Sequence, residues 1–271
     1  MAVLAHPDDE SLGMGGTLAR YASEGINTFL VTATRGERGR NGGSRHTPSA
    51  ELAALREAEL LAASRVLRIS EVRFLDYPDG ALDQVNPLEA STRIADHIRR
   101  VRPHVVLTFG PEGAYGHPDH IAISQWTTAA VTQAAHPSPH PRGLHPEGAP
   151  HLVSKLYFMA WTKGKWDAYQ AALKTLTAKV DGVERQATPW PDWAVTTVID
   201  TGSHWTTVWR AVSCHRTQMS VYRNLEHLSD EHHRSLWGSQ EFYRVFSVVN
   251  GGRGFETDLF DGLRAPVSVR S

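Results

Sequence analysis

The sequence VLAHPDDE at residues 3–10 joins a short apolar run to a proline and three consecutive acidic residues. Residues 11–24 have a helical pattern that ends at Gly25, because glycine commonly terminates helices. A buried strand, a polar turn and a helix in immediate succession are the repeating unit of α/β folds. This stretch therefore predicts an α/β fold and places a cluster of polar side chains at the end of its first strand.

The alternation of strands and helices continues through the first half of the chain. Further apolar strands are predicted at 28–33, 72–75 and 104–109. Further helices are predicted at 51–67, 87–101 and 119–134, with Ser49 as the N-cap of the first and Pro87 opening the second. Continuous apolar strands separated by helices indicate a mostly parallel sheet with helices on both faces.

The chain is expected to form one domain over residues 1–271, with three parts. A core at 1–135 carries the polar turns, and a proline-rich loop follows at 136–152. Residues 153–271 are expected to extend the sheet and cap the site. In this last part, strands are predicted at 153–160 and 194–199, and helices at 203–215 and 230–246.

Composition excludes several classes of protein. The net charge is -1, from 28 basic and 29 acidic residues, which argues against an electrostatic nucleic-acid binder. The single cysteine, Cys214, excludes an intrachain disulfide framework and a cysteine-rich zinc site. No apolar run approaches a membrane span, and residues 1–6 lack the pattern of a signal peptide. A soluble, cytoplasmic protein is expected, and a homo-oligomer is compatible with this sequence.

Two histidine motifs carry the chemistry, HPDDE at residues 6–10 and HPDH at 117–120. Each follows a predicted strand, so both turns face one crevice if the two strands are neighbours. A catalytic zinc ion takes three protein ligands and keeps one position open, and His6, Asp9 and His120 could supply such a set. Asp8 then stays free as a general base.

The second motif supplies two more polar groups. His117 could act on the opposite side of the substrate, and Asp119 could fix the orientation of an imidazole. Either motif alone could instead be a helix N-cap, in which an aspartate accepts hydrogen bonds from the first N–H groups. Two such motifs at equivalent strand ends favour a site over two unrelated caps.

The sequence resembles the PIG-L/LmbE-like zinc-dependent N-deacetylases. The resemblance rests on AHPDDE at residues 5–10 and YGHPDH at residues 115–120. Four weaker segments support it: TRGERG at 34–39, FLDYPDG at 74–80, RPHVV at 102–106 and CHRTQ at 214–218.

The resemblance implies a Rossmann-like sheet and a zinc ion bound by His6, Asp9 and His120. It also implies that Asp8 is the general base, while His117 and Tyr115 stabilise the oxyanion or protonate the leaving amine. The implied substrate is an N-acetylglucosamine-type sugar or conjugate, which would lose its acetyl group. Fe²⁺ or another divalent metal remains an alternative cofactor.

Five further residues are candidates for binding the substrate. Arg35 lies closest to a strand end in an arginine-rich loop, and an arginine fork pairs well with phosphate or carboxylate. Arg56 could point to the same crevice, and Asp79 could bind a sugar hydroxyl or simply form a turn. His215 and Gln218 could close the pocket, although a buried structural histidine is as compatible with this pattern. For Arg38, Arg40 and Arg45 an ordinary solvent-exposed role is favoured.

Two other functions use the same residues. Two histidines and one carboxylate also form the facial triad of non-haem iron oxygenases. A sugar-binding protein without catalysis is the third alternative, although ligand duty alone does not require Asp8. The glycines at 13–16 fall inside a helical pattern, so a dinucleotide-binding loop is rejected.

Overall fold

A computed structural model describes residues 1–39, 48–137, 148–173, 176–180, 182–250 and 254–264. Its strands are β1 (Ala2–Leu4), β2 (Phe29–Thr32), β3 (Glu71–Phe74), β4 (Val105–Phe109), β5 (Lys155–Met159), β6 (Ala178–Val180), β7 (Val183–Arg185), β8 (Thr197–Asp200) and β9 (Ser239–Ser247). Its helices are α1 (Asp9–Ser23), α2 (Ser49–Leu67), α3 (Pro87–Val101), the single turn α4 (Gly113–Gly116), α5 (Pro118–Ala134), α6 (Lys163–Leu173), α7 (Trp205–Val212) and α8 (Asp230–Trp237). Short 3-10 turns lie at Leu82–Gln84, Asp192–Ala194, Arg216–Gln218 and Arg223–His227.

The main sheet has seven strands in the order β3-β2-β1-β4-β5-β9-β8. The five strands from β3 to β5 are parallel, and β9 pairs antiparallel with both β5 and β8. The chain runs outward from β1 to β3 on one side and returns to β4 on the other. Because such crossovers are right-handed, helices cover both faces, and a crevice opens at the carboxyl ends of β1 and β4. The predicted α/β sheet is confirmed.

Local sequence explains why α3 begins where it does, but the predicted start of α2 is wrong. Pro87 opens α3, and the side chain of Asn86 accepts hydrogen bonds from the N–H groups of Leu88 and Glu89. The predicted bounds of this helix are therefore confirmed. In α2 the predicted cap is wrong: Pro48 occupies the N-cap position, with no side-chain capping bond, and Ser49 is already helical.

The C-terminal part extends the sheet, as predicted, through β5, β9 and β8. The predicted helix at 230–246 is correct only for its first half, because α8 ends at Trp237 and β9 begins at Ser239. Residues 240–247 (QEFYRVFS) are rich in aromatic and β-branched side chains, which favour a pleated strand. The position between β5 and β8 buries Phe242 completely, so packing across the sheet decides the conformation.

Outside the sheet, the C-terminal part adds a second small core. Trp166, Tyr169, Val208, Val212 and Trp237 are buried together where α6, α7 and α8 meet. Helix α7 also packs on α1 and α2, so this unit lies beside the first helix of the core. Within the proline-rich loop predicted at 136–152, residues 138–147 lie outside the described part of the chain. No helix among the described residues has the length and apolar character needed to cross a membrane.

Candidate active site

The two histidine turns meet because β1 and β4 are neighbours in the sheet. His6 Nδ1 lies 3.3 Å from His120 Nε2. One carboxylate oxygen of Asp9 lies 3.6 Å from His6 Nδ1, and the other lies 3.4 Å from His120 Nε2. Ligands about 2.0–2.1 Å from a tetrahedral zinc ion are separated by roughly 3.3–3.4 Å. The two histidine nitrogens therefore have the spacing of ligands around one small cation, and Asp9 faces each of them through a different oxygen.

The other ring nitrogen of His6 is engaged by two carboxylates. His6 Nε2 lies 3.0 Å from Asp119 Oδ2 and 3.2 Å from Asp79 Oδ1. A neutral ring that donates its proton from Nε2 keeps a lone pair on Nδ1, the atom that faces Asp9 and His120. Metal-binding histidines commonly donate their second N–H to a carboxylate in this way.

A cation bound by this cluster would displace protons from His6 and Asp9, whereas His120 is already neutral. Burial lowers the pKa of His120 well below its ordinary value, so the ring is neutral and offers a lone pair. Burial opposes charge on His6, but its hydrogen bonds with Asp119 and Asp79 raise its pKa well above the usual range. Burial also raises the pKa of Asp9 to about 7. Three mutually facing donor atoms in a buried space are the chemistry that a divalent metal satisfies.

Two other groupings of donor atoms also contain His6. Ligand-type atoms of His6, His117 and His120 lie within 4.8 Å of one another, as do those of His6, Asp79 and Asp119. The carboxylates of Asp79 and Asp119 contact the opposite nitrogen of His6 from the one that faces His120. They therefore fit better as groups that orient the His6 ring than as ligands of the same metal ion as His120.

Asp8 lies next to this cluster in a strained backbone conformation. Its φ is 108°, in the left-handed region that side chains rarely adopt, and it forms the N-cap of α1. Its Oδ2 accepts hydrogen bonds from Arg56 Nη2 at 2.9 Å and from the Tyr222 hydroxyl at 2.8 Å. The carboxylate is thus held in one orientation from two sides.

A buried hydrogen-bonded pair supports the Asp8 turn from behind. Glu10 Oε2 accepts the backbone N–H of Asp8 at 2.9 Å, and Glu10 Oε1 bonds His215 Nε2 at 2.8 Å and the Ser11 hydroxyl at 2.5 Å. Burial opposes charge on Glu10, but nearby His215 lowers its pKa, and Glu10 likewise raises the pKa of His215 against burial. The pair joins the core to the C-terminal part of the chain.

The cluster opens into a cavity of about 420 Å³. Its floor is polar and comes from the N-terminal core, whereas much of its wall comes from the C-terminal part. Trp161 in that wall stacks on Tyr169 with ring centroids 4.4 Å apart. Further apolar wall residues are Leu12, Met159, Leu173, Leu176 and Val221. This size and mixture of surfaces are typical of small-molecule sites.

His117 and Tyr115 also line the cavity. His117 Nδ1 accepts the backbone N–H of Asp119 at 3.2 Å, which makes His117 the N-cap of α5. Burial, with a contribution from His6, lowers the pKa of His117 to about 4. Burial raises the pKa of Tyr115. The neutral His117 ring accepts at Nδ1 and therefore carries its proton on Nε2.

Two of the predicted substrate-binding residues lie away from the cavity. Arg35 forms ion pairs with Glu57 and Asp76, and its guanidinium stacks over the ring of Phe74. His215 is completely buried against Glu10 rather than lining the pocket. Both placements have a physical reason, since each side chain finds an acidic partner within the fold.

The other predicted residues border the cavity, with partners of their own. Arg56 is buried and bonds Asp8, the carbonyl of Pro7 and, at 2.8 Å, the carbonyl of Gly36. Asp79 bonds His6, which lowers its pKa to about 2 despite burial. Gln218 is buried in the cavity wall. Arg40 and Arg45 lie outside the described residues.

Three residues at the site were not among the sequence candidates. Tyr222 bonds Asp8, Glu10 holds its backbone, and Arg38 borders the cavity mouth. Glu10 belongs to the first motif but was given no role. Tyr222 follows Gln218 by four residues, a spacing that does not by itself indicate a contact with Asp8.

Comparison with known proteins gives the chain its family. A family model described as "PIG-L: GlcNAc-PI de-N-acetylase" matches residues 1–131. A relative from Kineococcus radiotolerans, 1D-myo-inositol 2-acetamido-2-deoxy-alpha-D-glucopyranoside deacetylase, is 34% identical over 98% of this chain and 83% of its own length.

Solved structures support the fold. The conserved protein TT1542 from Thermus thermophilus has a TM-score of 0.64 and 28% identity, covering 92% of this chain and 96% of that one. The N,N'-diacetylchitobiose deacetylase from Pyrococcus horikoshii has a TM-score of 0.67 at 19% identity, covering 90% and 83%, and shows the fold alone. The two motifs, the sheet and the full-length relative agree, and the chain belongs to the PIG-L family.

Proposed function

We propose that this protein is a metal-dependent N-deacetylase that hydrolyses the acetamide of an N-acetylglucosamine-type sugar or conjugate. One observation carries the proposal: His6 Nδ1, His120 Nε2 and the Asp9 carboxylate converge within 3.3–3.6 Å beside Asp8 in an open cavity. The relative from Kineococcus radiotolerans, a deacetylase of an acetamido sugar, supports the choice of substrate class.

The donor set fits a zinc ion. His6, Asp9 and His120 would hold the ion, with Asp119 and Asp79 orienting the first ring through Nε2. A divalent zinc ion supplies Lewis acidity, which polarises the amide carbonyl and lowers the pKa of a coordinated water. Fe²⁺ could occupy the same ligands, so the identity of the metal is part of the test.

Asp8 is assigned as the proton acceptor for the attacking water. The hydrogen bonds from Arg56 and Tyr222 both reach Oδ2 and fix the carboxylate beside the ligand cluster. The water gives its proton to Asp8 as its oxygen bonds to the carbonyl carbon, which leaves a negative charge on the former carbonyl oxygen. Collapse of this adduct breaks the carbon–nitrogen bond.

His117 and Asp8 divide the remaining tasks. Because His117 is neutral and holds its proton on Nε2, it acts as a hydrogen-bond donor to the developing oxyanion rather than as an acid. Tyr115 in the same wall is a second donor. The proton that Asp8 took from water then passes to the departing nitrogen, and the products are acetate and the free amino sugar.

The decisive experiment is reconstitution of the metal-stripped protein. We expect loss of acetate release from methyl N-acetylglucosaminide after chelation and recovery with about one equivalent of Zn²⁺. Recovery with Fe²⁺ alone would change the metal assignment. Oxygen consumption without acetate would favour the oxygenase alternative, and sugar binding without any amine product would favour the binding protein.

A further inference from the structure

Arg38 differs from the other charged residues at the cavity. Arg56 in the wall is ion-paired with Asp8, whereas Arg38 is exposed at the mouth, where its Nη1 lies 3.5 Å from the carbonyl oxygen of Gly80. Among the described residues, no carboxylate oxygen lies within ion-pair distance of Arg38. Its positive charge is therefore available to a bound molecule.

The backbone of Arg38 is fixed with respect to the metal ligands. Its N–H donates to Asp79 Oδ2 at 2.9 Å, and Asp79 Oδ1 lies 3.2 Å from His6 Nε2. The N–H of Asp79 in turn donates to Glu37 Oε1 at 2.8 Å. A single carboxylate thus joins the Arg38 turn to the ring of His6.

The side chain of Arg38 also has a defined path. Gly80 has a φ of 69°, and a Cβ there would lie 3.5 Å from both Cδ and Nη1 of Arg38. The arginine stem therefore crosses the open face of this glycine, and its guanidinium lies at the cavity mouth.

Among the charged side chains that the structure describes at the cavity, Arg38 is the cation without an ion pair. Arg56 offsets Asp8, and Asp79 and Asp119 both contact His6. A divalent cation would offset two of the three charges on Asp9, Asp79 and Asp119 when His6 is neutral. Arg38 is separate from these pairs, so its charge favours an anionic group that reaches the cavity mouth.

We propose that Arg38 forms an anion subsite. It selects sugar conjugates in which the substituent on C1, the carbon bonded to the acetamide-bearing C2, contains a phosphate or carboxylate group. This inference rests on the proposed function, which places the acetamide at the metal end. In a 2-acetamido glycoside, C1 is bonded directly to the carbon that bears the acetamide. A substituent on C1 therefore lies close to the acetamide. A guanidinium fork binds either kind of oxyanion through two parallel hydrogen bonds.

The test compares three substrates of the zinc-loaded full-length protein. They are methyl N-acetylglucosaminide, its carboxymethyl counterpart and N-acetylglucosamine 1-phosphate, and acetate release is measured with each. We expect Arg38→Gln to lower kcat/KM for the anionic substrates about tenfold or more, mainly through KM, because a charge-assisted hydrogen bond is lost. The neutral glycoside should change by less than about twofold, which also shows that the variant is folded.

A matched control is Arg100→Gln, which removes an exposed arginine whose partner is Glu71, outside the cavity. It should leave all three rates unchanged. Arg38→Lys should retain part of the anion preference, since charge stays while the fork is lost. The anionic substrate whose kcat/KM falls more in Arg38→Gln identifies phosphate or carboxylate as the group that the subsite prefers.

Two results would overturn the subsite. One is equal activity of the wild type on neutral and anionic substrates, and the other is an equal loss on all three in Arg38→Gln. Absence of acetate from every substrate would instead contradict the proposed function. Calorimetric binding of N-acetylglucosamine 1-phosphate to wild type and Arg38→Gln would then test the subsite alone, with equal affinities refuting it.

Discussion

The two halves of the cavity are built by different means. The core side places His6 and Asp9 directly after β1 and His120 in the first turn of α5, and each side chain has polar partners. The cap side presents mainly ring and aliphatic surface, such as Trp161 and Leu173, from helix α6 and its flanks. The proposed reaction chemistry thus lies at the end of the sheet, and much of the pocket wall comes from the added part.

This division lets activity and stability be separated by mutation. Changes on the core side should alter the chemical step with little effect on folding when volume is kept. Changes in the sheet extension, remote from the cavity, should weaken folding before they alter the reaction. A residue that reaches from the cap to Asp8 should show how closely the two parts are coupled.

The largest effect is expected for Asp8→Asn. The amide has nearly the same volume as the carboxylate but cannot accept the proton of water, so kcat should fall by about 10²–10⁴-fold. Asp8 is not in the proposed ligand set, so the zinc content should stay near one equivalent. Rates are measured by acetate release and metal by elemental analysis. A near-normal kcat would remove Asp8 from its role.

The next effect concerns stability in the sheet extension. Glu256 is buried and bonds Lys155 Nζ at 2.7 Å, Tyr157 and Thr197, across β5 and β8. Glu256→Gln leaves the Lys155 ammonium buried without its counter-charge, which should lower the free energy of unfolding by about 3–5 kcal/mol. Urea unfolding at pH 7 measures the loss, and the residual folded enzyme should keep its kcat.

The pH dependence of the same network has a definite sign. Burial opposes ionisation of Glu256, but Lys155 and its other partners lower its pKa to about 2. A lowered folded-state pKa gives stability that is present above the unfolded value of about 4.5 and is lost as pH falls toward about 2. Wild type should therefore lose stability across that window more steeply than Glu256→Gln. Parallel curves would contradict this account.

The sequence predicts the position of a site residue where that residue closely follows a predicted strand. His6, Asp8 and Asp9 directly follow β1, and His120 lies in the helix that follows β4, so a sheet with these two strands as neighbours predicts that the side chains approach one another. The path of a longer loop is not determined by the strand that precedes it. Arg35 and Arg38 are three residues apart, yet the first turns to Glu57 and Asp76 and the second borders the cavity.

Long-range contacts mark the other limit of prediction. Tyr222 meets Asp8 across 214 positions, and His215 meets Glu10 across 205. Neither pairing leaves a periodic or spacing signal in the chain. The helix predicted over the residues of β9 is wrong for a related reason. The segment is long enough for a helix, but it is a strand because it pairs with β5 and β8, which come from distant segments.

The smallest effect tests the contact between the two halves of the cavity. Tyr222→Phe removes one hydroxyl, 2.8 Å from Asp8 Oδ2, and keeps the ring in the cap core. Loss of a hydrogen bond to a charged group is worth about 1.5–3 kcal/mol, so kcat should fall roughly 10–100-fold with KM nearly unchanged. The double variant with Asp8→Asn provides the control. If the hydroxyl acts through Asp8, adding Tyr222→Phe to Asp8→Asn should cost far less than it does alone, whereas full additivity would show that Tyr222 serves another step.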